Sequence, residues 1–248
     1  MINFKINSQY SSTFKDFIVD IKTRFLNNTK SIHKARNEIK ILEHAGYKVV
    51  VKSFKIPHLI NKIVYSFFRD SKAKKSYENS MKIAEFVPEA IGYIEFKMFG
   101  LLFESYFISK EFVYDFTIRE PLLESNFEEK HLIFEAFALF TYALHERGIL
   151  HLDYSPGNIL IKKESSGYTF KIVDINRMQF KTLTFEERLK NFSKLWAKDE
   201  DLKVMIKSYA RLLREDEDIC ITKALYYSQK NKDIKNFKKR LKGKKVVD

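Results

Sequence analysis

The chain has 248 residues, 45% of them hydrophobic, and a formal net charge of +13 at pH 7. That length and apolar content allow a full buried core in one two-lobed unit, and the lone cysteine, Cys220, excludes a disulfide framework. The positive charge invites an anionic partner, an anionic membrane surface before any other; no nucleic-acid module is legible, and the aromatics follow apolar periodicity, which argues against DNA or RNA.

The opening MINFKINSQYSSTF breaks every apolar run with polar residues, so no signal peptide is read there and a cytoplasmic location is expected. A smaller lobe is predicted from about 14 to 111, with strands over Phe14 to Phe25, Asn37 to Leu42, Lys48 to Phe54, Ile91 to Met98 and Leu101 to Ile108. Gly46 makes a hairpin of the second and third. The segment SKAKKSYENSMKIAEF opens on a helix-capping residue, Ser71, and carries Ala73, Tyr77, Met81 and Ala84 at helical spacing until Pro88 stops it. Ser109 to Phe112 reads as a hinge. The larger lobe, about 112 to 240, begins with a helix over Glu128 to Arg147 that Gly148 closes. Its apolar stretch, Leu132 to Leu144, contains Glu135 and is too short to span a bilayer. HLDYSPGNIL follows, then strands over Asn158 to Lys162 and Tyr168 to Asp174, then helical text in FEERLKNFSKLW, DLKVMIKSYARLLRE and ITKALYYSQ, and a basic tail over 235 to 248. The pattern predicts an α+β fold: a single domain over 1–248 with a small antiparallel-sheet lobe and a mainly helical lobe.

The chemistry concentrates in HLDYSPGNIL. Asp153 stands five positions ahead of Asn158, between a helix and a strand, the order in which phosphoryl-transfer enzymes present a catalytic base and a metal ligand to ATP. The strand ending on Asp174 brings a second carboxylate back beside Asn158. A carboxylate and an amide oxygen together suit Mg²⁺, which takes its remaining oxygens from phosphate and water; the simpler reading of Asp174 is a turn residue. Upstream, in YKVVVKSFK, Val50 and Lys52 share one face of a strand. Val50 is suited to cover the adenine and Lys52 to contact the α and β phosphates, with Lys40 and Lys55 as competitors for that contact. Glu78, at the middle of its helix, is expected to pair with Lys52, with Glu85 as the competitor. His151 is read as a packing and hydrogen-bonding residue.

With RNEIK (Arg36 to Lys40), VVVKSFKIP (Val49 to Pro57), SKAKKSYEN (Ser71 to Asn79), HLDYSPGNIL and VDINRM (Val173 to Met178) in this order, the chain resembles the protein-kinase-like superfamily and, within it, the bacterial lipopolysaccharide core kinases of the Kdo and heptose kinase family. The resemblance implies ATP- and Mg²⁺-dependent phosphorylation of a sugar hydroxyl in the lipopolysaccharide inner core, with a lipid-linked acceptor at the inner face of the inner membrane. Basic residues in Lys72 to Lys82 and in the tail would attract that anionic surface. Leu152 replaces the arginine that pairs with a phosphorylated activation loop in regulated kinases, no Ala-Pro-Glu follows Asp174, and Ser155 replaces a lysine usual in protein-directed kinases. All three departures favour a sugar or other small-molecule acceptor. No GxGxxG is present; FLNNTKSIHKAR, with Asn27 and Asn28 at a turn and Lys30, Lys34 and Arg36 beside it, stands where the nucleotide-covering loop would be. Two alternatives stay open: a phosphotransferase acting on an aminoglycoside, choline or similar alcohol, and a catalytically dead pseudokinase scaffold.

Overall fold

The computed structural model describes residues 1–34, 37–54 and 70–243, which fall into two compact units. The first comprises Met1–Val113 with Asp174–Asn176; the second comprises Tyr114–Val173 and the chain from Arg177 onward. Among the described residues, no helix is long and apolar enough to cross a membrane.

In the first unit an antiparallel six-stranded sheet has the order β1 (Ile2–Ile6), β5 (Ala90–Met98), β6 (Leu101–Lys110), β4 (Tyr47–Phe54), β3 (Asn37–His44), β2 (Ser31–Lys34). The β3–β4 hairpin closes through Ala45 and Gly46, both left-handed at φ 48° and 79°, the backbone of a two-residue turn whose twist matches its strands. The stretch expected as a first strand, Phe14 to Phe25, is instead two helices, α1 (Ser11–Val19) and α2 (Ile21–Asn27). Phe14, Phe17, Ile18, Ile21 and Phe25 recur every three or four residues, so a helix puts all five against the sheet, where they are buried with Val49, Val51, Ile91, Ile94 and Ile108. A strand would have turned part of that set to water. Gly92 lets β1 and α1 close on β5, since a Cβ there would stand 2.6 Å from both the Lys5 carbonyl oxygen and Ile18 Cδ1.

The opposite face of the sheet takes α3 (Lys72–Lys82), capped by Ser71, whose hydroxyl accepts the Lys74 backbone N–H at 3.0 Å. Its buried face is Ala73, Ser76, Tyr77 and Ser80, packed with Phe54, Ala90 and Tyr93; Met81 and Ala84, expected on that face, are exposed.

The second unit is built around α5 (Lys130–Glu146), ended by Gly148 at φ 66°. Beside it lie a short helix, α4 (Arg119–Leu123), a three-stranded sheet ordered β10 (Gly167–Ile172), β9 (Ile159–Glu164), β7 (Phe116–Thr117), and a pair of short strands, β8 (Ile149–His151) and β11 (Met178–Phe180). Three helices follow: α6 (Phe185–Phe192), opened by a Thr184–Glu187 capping box, α7 (Asp199–Leu213) and α8 (Glu217–Leu241). The basic tail is helical as far as Leu241, α8 continuing without a break through Lys235, Lys238 and Lys239. Buried Phe137 stacks on Tyr154, whose hydroxyl pairs with Thr141 Oγ1 at 2.9 Å, so the core anchors the chain one residue after Asp153.

Candidate active site

In the first unit β4 presents Val50, Lys52 and Phe54 on the face turned toward α3, while Val49 and Val51 point into the core on the other. The Lys52 ammonium lies 5.3 Å from the centre of the Phe54 ring and donates to Asp174 Oδ1 at 2.7 Å. Asp174 sits at φ 57°, a left-handed conformation that a short polar side chain tolerates, and its Oδ1 also accepts from Asn176 Nδ2 at 2.5 Å. Asn79 of α3 donates to the Ile175 carbonyl at 2.7 Å and so fixes the residue after Asp174. One carboxylate oxygen of Asp174 is thus occupied by two donors, and Oδ2 accepts no hydrogen bond among the described residues.

The ion pair expected between Lys52 and Glu78 does not form. Lys52 pairs with Asp174, and Glu78 lies 3.8 Å from Lys74, one turn back on its own helix. The cause is helical phase: Tyr77 and Ala73 take the sheet-facing side of α3, which leaves Glu78 on a flank with nearly half of its side chain in solvent. Lys40, a competitor for the phosphate contact, is buried, donates to the carbonyls of Phe25 (2.7 Å) and Asn28 (2.6 Å), and packs on the Phe25 ring. It satisfies carbonyls at the C-terminal end of α2, a structural duty. Lys55, Arg36 and the side chain of Lys34 lie outside the described residues.

The second unit holds the HLDYSPGNIL loop between β8 and β9, and its hydrogen bonds leave little freedom. The Asp153 backbone N–H donates to His151 Nδ1 at 3.0 Å, so the imidazole proton is on Nε2, which donates to the Val173 carbonyl at 3.0 Å. Ser155 N–H donates to the Asp153 carbonyl (2.7 Å) and Asn158 N–H to the Ser155 carbonyl (2.9 Å). The Asn158 side-chain amide also donates to the Asp153 carbonyl, at 2.9 Å, which orients its own Oδ1 away from the loop. Val173 N–H bonds the Asn158 carbonyl at 2.9 Å, so the β9–β10 hairpin returns the chain to Asn158 one residue before Asp174. The Asp153 carboxylate itself accepts no hydrogen bond among the described residues.

Beneath the loop runs a chain of buried polar groups that the sequence reading did not single out. Asn191 Nδ2 donates to the His151 carbonyl at 3.0 Å, and its Oδ1 accepts from His145 Nε2 at 3.1 Å. His145 Nδ1 is then the acceptor for the Tyr209 hydroxyl at 2.6 Å. Burial lowers the His145 pKa to about 4, so the ring is neutral, as this pattern of one donor and one acceptor requires. An asparagine and a histidine within apolar helical text were the available signal. Among the described residues no group of three or more His, Cys, Asp or Glu side chains gathers as a metal site; the hard-oxygen donors are Asp174 in the first unit and Asn158 in the second.

No protein-family model matches the sequence, and no curated protein is similar to it at a significant level. Solved structures do match, 1139 chains in number. One is WaaP in complex with acyl carrier protein, with a TM-score of 0.59 and 14% sequence identity over 92% of this chain and 99% of that one. At that identity the likeness speaks to fold alone, and the fold is the kinase-like one, an antiparallel-sheet N-terminal part followed by a mainly helical C-terminal part.

Proposed function

We propose that this protein is an ATP-dependent kinase that phosphorylates a sugar hydroxyl of the lipopolysaccharide inner core, on Kdo or heptose. The observation that carries the reading is the loop around Asp153: its backbone, His151 and the Asn158 amide hold the Asp153 main chain, while the Asp153 carboxylate accepts no hydrogen bond among the described residues. A carboxylate on a backbone held in this way is available to accept the proton of an acceptor hydroxyl. Lys52 is held over Phe54 by Asp174 until phosphate oxygens share its ammonium. Asp174 Oδ2 in the first unit and Asn158 Oδ1 in the second accept no hydrogen bond among the described residues, and each is the kind of hard oxygen that Mg²⁺ takes alongside water and phosphate. Mg²⁺ held by such an oxygen would neutralise charge on the transferred phosphoryl group. Val50, half-buried on the same face as Lys52, is the apolar wall for the adenine. Asp174, rather than Glu78, is the ion-pair partner of Lys52 in this structure.

The choice of acceptor rests on the likeness to WaaP, a lipopolysaccharide-core heptose kinase, and on the sequence segments that resemble its family. Association with an anionic membrane surface is supported by α8. Ile219, Tyr226, Ile234, Phe237 and Leu241 recur along one face of that helix and are exposed, Phe237 by 62% and Leu241 by 71%, with Lys230, Lys238 and Arg240 nearby. An amphipathic basic helix of this kind lies in the headgroup region of a bilayer.

The test is transfer of the γ-phosphate of ATP to purified inner-core lipopolysaccharide in the presence of Mg²⁺, followed by mass spectrometry of the product. Asp153→Ala should lower turnover about 10²- to 10⁴-fold while leaving the ATP-induced rise in melting temperature intact. Near-normal turnover in that variant would remove Asp153 as the base. Transfer to an aminoglycoside or choline with none to lipopolysaccharide would establish the soluble-acceptor alternative, and no thermal shift at millimolar ATP and Mg²⁺ would establish the pseudokinase.

A further inference from the structure

The face by which α8 packs on the second unit begins with small residues, Cys220, Ala224 and Ser228, all buried. Continued by three and then four residues at a time, the same face carries Asn231, Lys235 and Lys239. Two contacts pin this part of the helix to the segment after α6: Asn231 Nδ2 donates to the Ser193 carbonyl at 2.8 Å, and Lys232 Nζ to the Ala197 carbonyl at 2.9 Å. The ammonium groups of Lys235 and Lys239 consequently lie over the ring of Trp196, at 4.8 and 5.5 Å from its centre. Trp196 itself is held in a left-handed conformation at φ 58°, which ends the short turn containing Lys194. This segment follows directly on α6, whose Asn191 grips the carbonyl of His151 two positions before Asp153, so the chain carrying Trp196 is tied to the loop that bears Asp153. Desolvation and the Lys194 ammonium lower the pKa of Lys235, while the Asp153 carboxylate opposes them and Lys239 adds to the repulsion.

Two ammonium groups share one ring here, and among the described residues no ion pair is made by Lys235 or Lys239. An unneutralised like-charge cluster held in place by an aromatic ring costs free energy in the empty protein and is relieved by an anion. Long flexible side chains on a surface would otherwise spread apart. We propose that Lys235 and Lys239, held over Trp196, form a subsite that binds an anionic group, carboxylate or phosphate, of the sugar whose hydroxyl is presented to Asp153, an assignment that rests on the kinase reading above. The same cluster would leave a neutral sugar without its main electrostatic contact.

Trp196 is the only tryptophan in the chain, so intrinsic tryptophan fluorescence reports on this subsite alone. The full-length protein is titrated with Kdo, with its neutral methyl ester, with inorganic phosphate and with vesicles containing phosphatidylglycerol. A saturable change of emission with Kdo, competed by inorganic phosphate and weak or absent with the ester, is expected. Lys235→Gln/Lys239→Gln should weaken Kdo binding about tenfold or more, as loss of charge-assisted contacts requires, and raise the KM for an acidic acceptor by a similar factor with little change in the KM for ATP. Equal responses to Kdo and its ester, a response to vesicles but not to Kdo, or unchanged binding in the double variant would each overturn the subsite. Kdo binding at Trp196 without phosphate transfer from ATP would leave the anion site standing and refute the kinase; transfer with an unchanged acceptor KM in the double variant would do the reverse.

Discussion

Replacing Asn191 with leucine tests whether the catalytic loop is held from below by the buried polar chain. Leucine shares asparagine's branched side-chain skeleton with bulkier ends, so the site stays filled, but two bonds vanish: the one donated to the His151 carbonyl at 3.0 Å and the one accepted from His145 Nε2 at 3.1 Å. Both groups that lose this partner belong to buried residues, where water does not replace it. Each such loss costs about 1–3 kcal/mol, so the substitution should destabilise the protein by about 2–6 kcal/mol. Urea unfolding followed by far-ultraviolet circular dichroism would register this as a lower midpoint with an unchanged slope. Asn191→Asp separates the two bonds, since a carboxylate still accepts from His145 but turns a negative oxygen toward the His151 carbonyl. It should be no more stable than the leucine variant. A leucine variant within about 0.5 kcal/mol of the native protein would refute the reasoning, and an aspartate variant of native stability would show that the grip on His151 contributes nothing.

The second prediction concerns acid. His145 has a folded-state pKa lowered to about 4 by burial, against 6.5 for the exposed group, so the unfolded chain takes up a proton that the folded one refuses. The stability this residue confers is fully present above pH 6.5 and is lost as pH falls toward 4, by about 3 kcal/mol in order of magnitude. Unfolding midpoints at several pH values in this window should show the loss in the native protein and a shallower slope in His145→Gln; parallel slopes would exclude His145 as the source. The third concerns the exposed face of α8. Phe237→Asp should reduce co-sedimentation with phosphatidylglycerol vesicles severalfold at moderate salt while leaving the melting temperature within about a degree, since Phe237 is mostly exposed in the free protein. Equal sedimentation of both proteins would argue that this face does not meet the bilayer.

The parts of this protein legible in its sequence are those whose geometry is set by neighbours in the chain. HLDYSPGNIL folds onto itself: His151, Asp153, Ser155 and Asn158 satisfy one another within eight residues, so its shape follows from its own text. The same holds for the β3–β4 turn at Gly46 and the Ser71 cap of α3. Phe14 to Phe25 misled because aromatic and β-branched residues carry strand propensity, while the deciding fact, a sheet face waiting to be covered by Val49, Val51, Ile91 and Ile108, lies far along the chain. Glu78 misled for a related reason: helical spacing shows which residues share a face but leaves the rotation of α3 to its packing, and Tyr77 against Tyr93 decides it. The lysines at 235 and 239 read as part of a basic tail drawn to an anionic membrane surface because their relation to Trp196 arises only through the bonds of Asn231 and Lys232 to another segment. A loop whose polar groups are fixed at close range is therefore more readable than a cluster assembled from residues distant in sequence, where single letters look like ordinary surface charge.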